Sequence, residues 1–191
     1  GELITPSDPG NVNLAGAWSF DDGGGAVVSD SSGNGNDGSI EGNANSWVPG
    51  KQGTALSMGN NVYVSVPAAA WSSIDTQFTV AFWVFGDDAL GNNWGFYAGD
   101  AAGRLAGCHL PWGNEVIFDS TANWAAERIV KPATADELRG QWHHWTFVKN
   151  ADSGDKQVYL NGQLYGSASA SADPITGVDR FFIGAGAAGV S

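Results

Sequence analysis

Residues 18–47 read W-S-F-D-D-G-G-G-A-V-V-S-D-S-S-G-N-G-N-D-G-S-I-E-G-N-A-N-S-W. An apolar strand end runs into Asp21 and Asp22, and a second loop then sets Asp30, Ser32, Asn34, Asn36 and Asp37 among glycines. Glycine lets the backbone turn sharply and aim its carbonyls inward. Clustered carboxylate, amide and carbonyl oxygens are the donor set of a hard cation such as calcium. The stretch predicts strands joined by oxygen-rich turns, with Asp21, Asp22, Asp30, Asn34 and Asn36 as candidate calcium ligands. Asp30, Ser32, Asn34, Gly35 and Glu41 also fall at EF-hand spacing, but Asp37 stands where that loop wants an apolar residue and no amphipathic helix flanks it.

Outward from this stretch the chain continues in strand patterns. Leu14, Gly16, Trp18 and Phe20 alternate with small or polar residues, as do Val62, Val64 and Val66, which predicts half-buried strands. Phe78–Phe85 and Trp142–Val148 are apolar at both parities and predict strands covered on both faces, with Trp83 and Trp142 in the core beside Trp18 and Trp145. Val116–Phe118 and Phe181–Ile183 are shorter strands. Val158–Leu160, Asn161-Gly162 and Gln163–Tyr165 form a hairpin signal, because Asn-Gly supplies the positive φ angles of a two-residue turn. The one helical candidate is Ala133–Arg139. The fold expected is all-β: a jelly-roll β-sandwich of two antiparallel sheets.

Composition agrees. A length of 191 residues suits one domain, and 28 glycines with 9 tryptophans fit short strands and tight turns. Residues 1–11 read as a linker or edge segment and 12–191 as the domain, with no initiator Met or apolar leader at the start, as in a piece of a longer protein. The formal charge of −12 argues against nucleic acid and anionic membrane surfaces. No apolar run is long enough to span a bilayer. Cys108 is the one cysteine, which excludes an internal disulfide and reads as a small buried residue.

The order F-D-D, D-S-S-G-N-G-N-D-G, W-V-P-G-K-Q-G-T-A-L-S-M-G, F-T-V-A-F-W-V, G-Q-W-H-H-W-T-F-V and V-Y-L-N-G-Q-L resembles the laminin-G-type jelly rolls of the concanavalin A-like superfamily, over roughly residues 13–186. The run H-L-P-W-G-N-E-V-I-F-D is similar to a subgroup attached to secreted bacterial polysaccharide-degrading proteins. The resemblance implies a secreted, non-catalytic carbohydrate-binding module whose calcium is structural and whose partner is a polysaccharide or oligosaccharide. The alternative class is an adhesion or structural module of a larger extracellular protein, and the third a glycan hydrolase or lyase. Family members continue into a final strand with an acidic motif, whereas this sequence stops at Ser191, so that strand is expected to be missing or supplied otherwise.

Sugar sites set flat aromatic rings against the C–H face of a pyranose and fix the hydroxyls with a few polar groups. Trp94, Trp112 and Trp124 lie among turn formers and polar residues, with His109, Asp119 and Arg128 near them in sequence. These six are the candidate sugar-binding residues, Arg128 being suited to an anionic sugar through its planar donors. Trp47 and Trp71 are expected as lids over the sandwich ends. Catalysis finds less support: the E-x-D-x-x-E pattern of related glucanases is absent, and Glu115, Asp119, Asp136 and Glu137 do not reproduce it. His143 and His144 are adjacent and would face opposite sides of a strand, a poor pair for zinc.

Overall fold

A computed structural model describes residues 13–43, 46–59, 61–88, 91–121, 127–169 and 171–187. One sheet has eight strands in the order β1 (Val27–Val28), β2 (Gly38–Glu41), β5 (Tyr63–Val66), β14 (Arg180–Ile183), β7 (Trp94–Asp100), β8 (Gly103–Trp112), β9 (Glu115–Asp119) and β10 (Ile129–Pro132). The second has four: β13 (Gln163–Ala168), β12 (Asp155–Leu160), β11 (Trp142–Asn150) and β6 (Gln77–Phe85). A hairpin of β3 (Ser46–Pro49) and β4 (Thr54–Ser57) stands apart from both. All pairings are antiparallel, and the sandwich is the one the strand patterns predict.

The two sheets meet through alternate side chains, since a strand sends successive residues to opposite faces. Val64, Phe96, Cys108 and Phe118 from the large sheet pack with Phe78, Trp145, Phe147 and Val158 from the small one. Phe118 lies tilted at 5.3 Å from Phe147 and edge-on at 6.1 Å from Phe78, so aromatic contacts bridge the layers. Burial pushes the Cys108 thiol far above its ordinary range, as an inert core residue requires. At one end of the core, Lys149 and Lys156 sit opposite each other on β11 and β12, both buried. Lys149 Nζ donates to Ser171 O at 2.7 Å and Ser171 Oγ at 2.9 Å, and Lys156 Nζ to the carbonyls of Phe118 and Glu127. Burial lowers both pKa values, that of Lys156 to about 8.

Several expectations need correcting. Leu14–Phe20 is not a strand: it makes one bridge, Trp18 to Asp30, and Phe20 turns to φ +59°. Asp30 Oδ1 captures the Ala17 N–H at 2.9 Å, so a side chain takes the place of a ladder partner. The expected double coverage of Phe78–Phe85 and Trp142–Val148 fails as well. Phe78, Val80, Phe82 and Val84 face inward, but Trp83 and Phe85 are 48% and 47% exposed, and Trp142 is half-buried on the same outer face. An all-apolar strand pattern does not distinguish a covered face from an exposed aromatic one. Trp145 is core as expected, while Trp71 is buried within a 3-10 turn at Ala68–Trp71. The helix is shorter than predicted, α1 (Ala135–Leu138), closed by a capping box in which the Glu137 carboxylate accepts from Thr134 N and Oγ1.

Candidate functional site

The hairpins β7–β8 and β8–β9 bring five of the six candidate sugar-binding residues onto one face of the large sheet. On β8, Ala106, Cys108 and Leu110 point into the core, so His109 points outward, opposite Trp94 on β7 and Ile117 on β9. The Trp94 and His109 rings lie 3.8 Å apart, and Trp112 meets His109 edge-on at 4.9 Å. Beyond Trp94 the aromatic row continues through Tyr97 and Phe182 to Tyr63. Asn93 exchanges backbone hydrogen bonds with Leu110 and Pro111 at 2.9 and 2.8 Å, and Asn92 Oδ1 accepts from Gly113 N, which fixes the Trp112 end against the Trp94 end. Close approach to these rings requires glycine. A Cβ at Gly186 would lie 2.6 Å from Trp94 Nε1, and one at Gly99 2.6 Å from the Tyr97 hydroxyl oxygen. Trp112, at the hairpin end, is 50% exposed.

Beside this row, on the same face, is a buried ion cluster. Asp119 is fully buried, and Arg128 holds both its oxygens, Nε to Oδ1 and a terminal nitrogen to Oδ2, each at 3.0 Å. Arg104 Nε lies 3.1 Å from Asp119 Oδ2, an ion pair by distance, while its guanidinium covers the Trp94 ring at 5.1 Å. Arg104 is the member that sequence reading missed: one arginine among glycines in G-R-L-A-G carries no distinguishing signal. The planar fork of Arg128 therefore faces Asp119, which removes the geometric support for its reading as an anion clamp. Trp124 lies outside the described residues.

The proton positions follow from the donors. Arg104 can only donate, and one of its terminal nitrogens is 3.3 Å from His109 Nε2, so Nε2 accepts and the neutral ring carries its proton on Nδ1. Burial, then the charge of Arg104, lowers the His109 pKa to about 4, against the opposing pull of Asp119. His109 Nδ1 and the Tyr97 hydroxyl are buried with no hydrogen-bond partner among the described residues. Both atoms are closed off from solvent, so the exposed Trp112 indole is the part of this face most open to a ligand.

The calcium candidates divide differently. Asp30 Oδ1 accepts from Ala17 N and Ser32 N, both at 2.9 Å, and Oδ2 from Ser32 Oγ at 2.8 Å and Asn36 N at 2.9 Å. Desolvation raises the Asp30 pKa, but these hydrogen bonds outweigh it and hold the value at about 2. Asn34 and Asn36 donate from Nδ2 to the carbonyls of Leu14 and Ala15. Asp22 Oδ1 accepts from Ser29 N and Oγ, and Asp21 Oδ1 from Thr54 N. The structure thus gathers Asp30, Asn34 and Asn36 around one turn and directs Asp21 and Asp22 to other partners. Among the described residues no three His, Cys, Asp or Glu side chains gather as metal ligands. Two of the four carboxylates considered for catalysis are also engaged: Asp119 by arginines and Glu137 by the cap of α1.

Comparison with known proteins agrees with this architecture. The laminin G family described as the concanavalin A-like lectin/glucanases superfamily matches residues 58–191. No curated protein matches the chain in sequence. Among solved structures, the binding domain of botulinum neurotoxin serotype G superposes with a TM-score of 0.67 at 16% identity, over 90% of this chain and 43% of that one. A botulinum neurotoxin type C structure, whose cell entry depends on interaction with two ganglioside molecules, gives 0.64 at 16% identity over 90% and 43%. Domain 4 of an extracellular arabinanase from Geobacillus stearothermophilus, in complex with arabinotriose, gives 0.63 at 23% identity over 88% and 81%. The chain spans less than half the length of the toxin structures it matches.

Proposed function

We propose that this chain, which belongs to the concanavalin A-like lectin/glucanase superfamily, is a non-catalytic carbohydrate-binding module that holds a secreted polysaccharide-active protein on its glycan. The observation that carries the reading is the exposed Trp112 indole, set edge-on against His109 at the end of the aromatic row. A half-exposed indole held in place by its neighbours is the kind of surface on which a sugar ring stacks. The arabinotriose complex of a similar domain and the ganglioside dependence of a toxin with this fold support the ligand class. Further domains in the parent protein would gain from the tether by a raised local concentration of substrate. A glycan array tests the reading. The wild-type domain is expected to select at least one glycan class, and Trp112→Ala to weaken that binding about tenfold with the melting curve unchanged. Undiminished binding by Trp112→Ala would remove this face from the account.

Calcium belongs to the proposal as a stabiliser of the loops. Asp30 does not fit the ligand role, because four N–H and O–H donors already surround its carboxylate. The exposed Asp21 and Asp22 carboxylates keep the donor chemistry a hard cation takes, away from the turn that Asn34 and Asn36 share with Asp30. A cation that binds only the native state raises its stability. The expected outcome is a higher Tm in calcium than in chelator; coincident melting curves and a metal-free protein would strike calcium from the proposal.

A further inference from the structure

We propose that the outer face of the four-stranded sheet is a second glycan-binding site, centred on Trp83 and independent of the Trp112 face. A cleft of about 510 Å³ opens there, lined by Lys51, Trp83, Trp142, His144 and Asn161. Its floor is set by strand register: Trp83 on β6 lies opposite His144 on β11, and Phe85 lies opposite Trp142. The rings meet at angles, Trp83 to His144 at 5.2 Å and 59° and Phe85 to Trp142 at 5.7 Å and 62°, so the floor is a shallow corner with a half-exposed indole on one side.

The polar groups around the floor distinguish this cleft from a plain apolar docking face. Asn161 Oδ1 accepts from His144 N at 2.9 Å, and its Nδ2 lies 3.1 Å from His143 Nδ1, so both ends of the amide are held. Asn161 and Gly162 both take positive φ, 51° and 78°, which makes the turn at this rim a tight one. The His144 ring approaches Thr146 Oγ1 through Nδ1 at 3.5 Å. Lys51, from the β3–β4 turn, sets its ammonium 5.0 Å from the centre of the Trp83 ring. A ring face, an imidazole nitrogen and an ammonium thus converge within one sugar's reach. Aromatic faces bind the C–H side of a saccharide ring, and the nitrogens suit its hydroxyls. A protein partner would favour a broader and drier apolar surface than this mixed rim.

The ligand class is a saccharide unit of a glycan chain. Two sites on opposite sheets would let one domain engage two chains, or two segments of one long chain. The ligand class alone rests on the proposed function; the location does not.

The experiment compares wild type, Trp83→Ala, Trp112→Ala and the double variant. Each is applied to an array of neutral and acidic oligosaccharides that includes arabinotriose, and then titrated calorimetrically with the best binder. Wild type is expected to take up two ligands per chain and each single variant one, with the affected site weakened about tenfold and Trp83→Phe retaining most of its binding. Trp83 is exposed, so its removal leaves the fold intact, which matching melting curves verify. If Trp83→Ala retains full stoichiometry and affinity while Trp112→Ala loses binding, the second site is wrong and the proposed function stands. If only Trp83→Ala loses binding, the second site stands and the Trp112 face is wrong. Binding of no oligosaccharide by wild type overturns both, and a dimer in sedimentation that Trp83→Ala dissolves replaces the glycan with a second copy of this chain.

Discussion

The sandwich has a tryptophan–histidine contact on each outer face, and the two are built in opposite ways. Trp94 and His109 on the large sheet are 3.8 Å apart, roofed by an arginine and rooted in a fully buried aspartate. Trp83 and His144 on the small sheet are 5.2 Å apart and half open to solvent. Burial lowers both histidine pKa values, but only His109 also has cationic neighbours pushing it down. The first face gains fixed geometry from its ion cluster and is most open at Trp112. The second keeps its rings accessible and depends on the Asn161 turn for order. The difference teaches that aromatic residues on a sheet surface become either scaffold or contact surface according to the charges placed beside them.

The largest expected effect breaks this contrast at its root. Asp119→Ala leaves Arg104 and Arg128 without their shared carboxylate inside the protein. Removing one partner of a buried ion cluster costs about 3–5 kcal/mol, read as a fall in the midpoint of denaturant unfolding. Trp83→Ala on the opposite face is expected to change stability by less than about 0.5 kcal/mol. Equal effects of the two changes would show that the Asp119 cluster is not the scaffold described.

A smaller loss comes from the Asp30 turn, which resembles the first face in having a carboxylate enclosed by donors. Asp30→Ala removes four hydrogen bonds to a charged acceptor and is expected to cost about 2–3 kcal/mol. The pH dependence carries a sign. The folded pKa of about 2 lies below the ordinary 3.8, so the unfolded chain binds more protons in this range. The stabilisation is complete above pH 3.8 and disappears as pH falls through about 2. Acid unfolding of wild type is therefore expected to steepen over that window and that of Asp30→Ala to flatten. An unchanged acid limb would contradict the role given to Asp30.

The sequence made much of the scaffold legible, for reasons the two faces illustrate. Val62–Val66, Val116–Phe118 and the Asn161-Gly162 hairpin carry strong alternation or turn chemistry, and all lie in strands or their turn. The glycine-rich β7 and β8 lack that alternation and escaped notice, although they carry most of the candidate site. Trp94, His109, Trp112, Asp119 and Arg128 were nonetheless grouped correctly in space, because successive antiparallel hairpins bring neighbours in sequence together. The role of Arg104 is not legible in the sequence, since it arises from a strand register. Trp83 was read as core because an apolar residue on an apolar strand looks the same whichever way its face is turned.

A crystal structure of the domain with the best-binding oligosaccharide from the array tests the central claim most directly. The account predicts a sugar ring stacked on the Trp112 indole. A bound sugar that touches neither Trp112 nor His109 would contradict it.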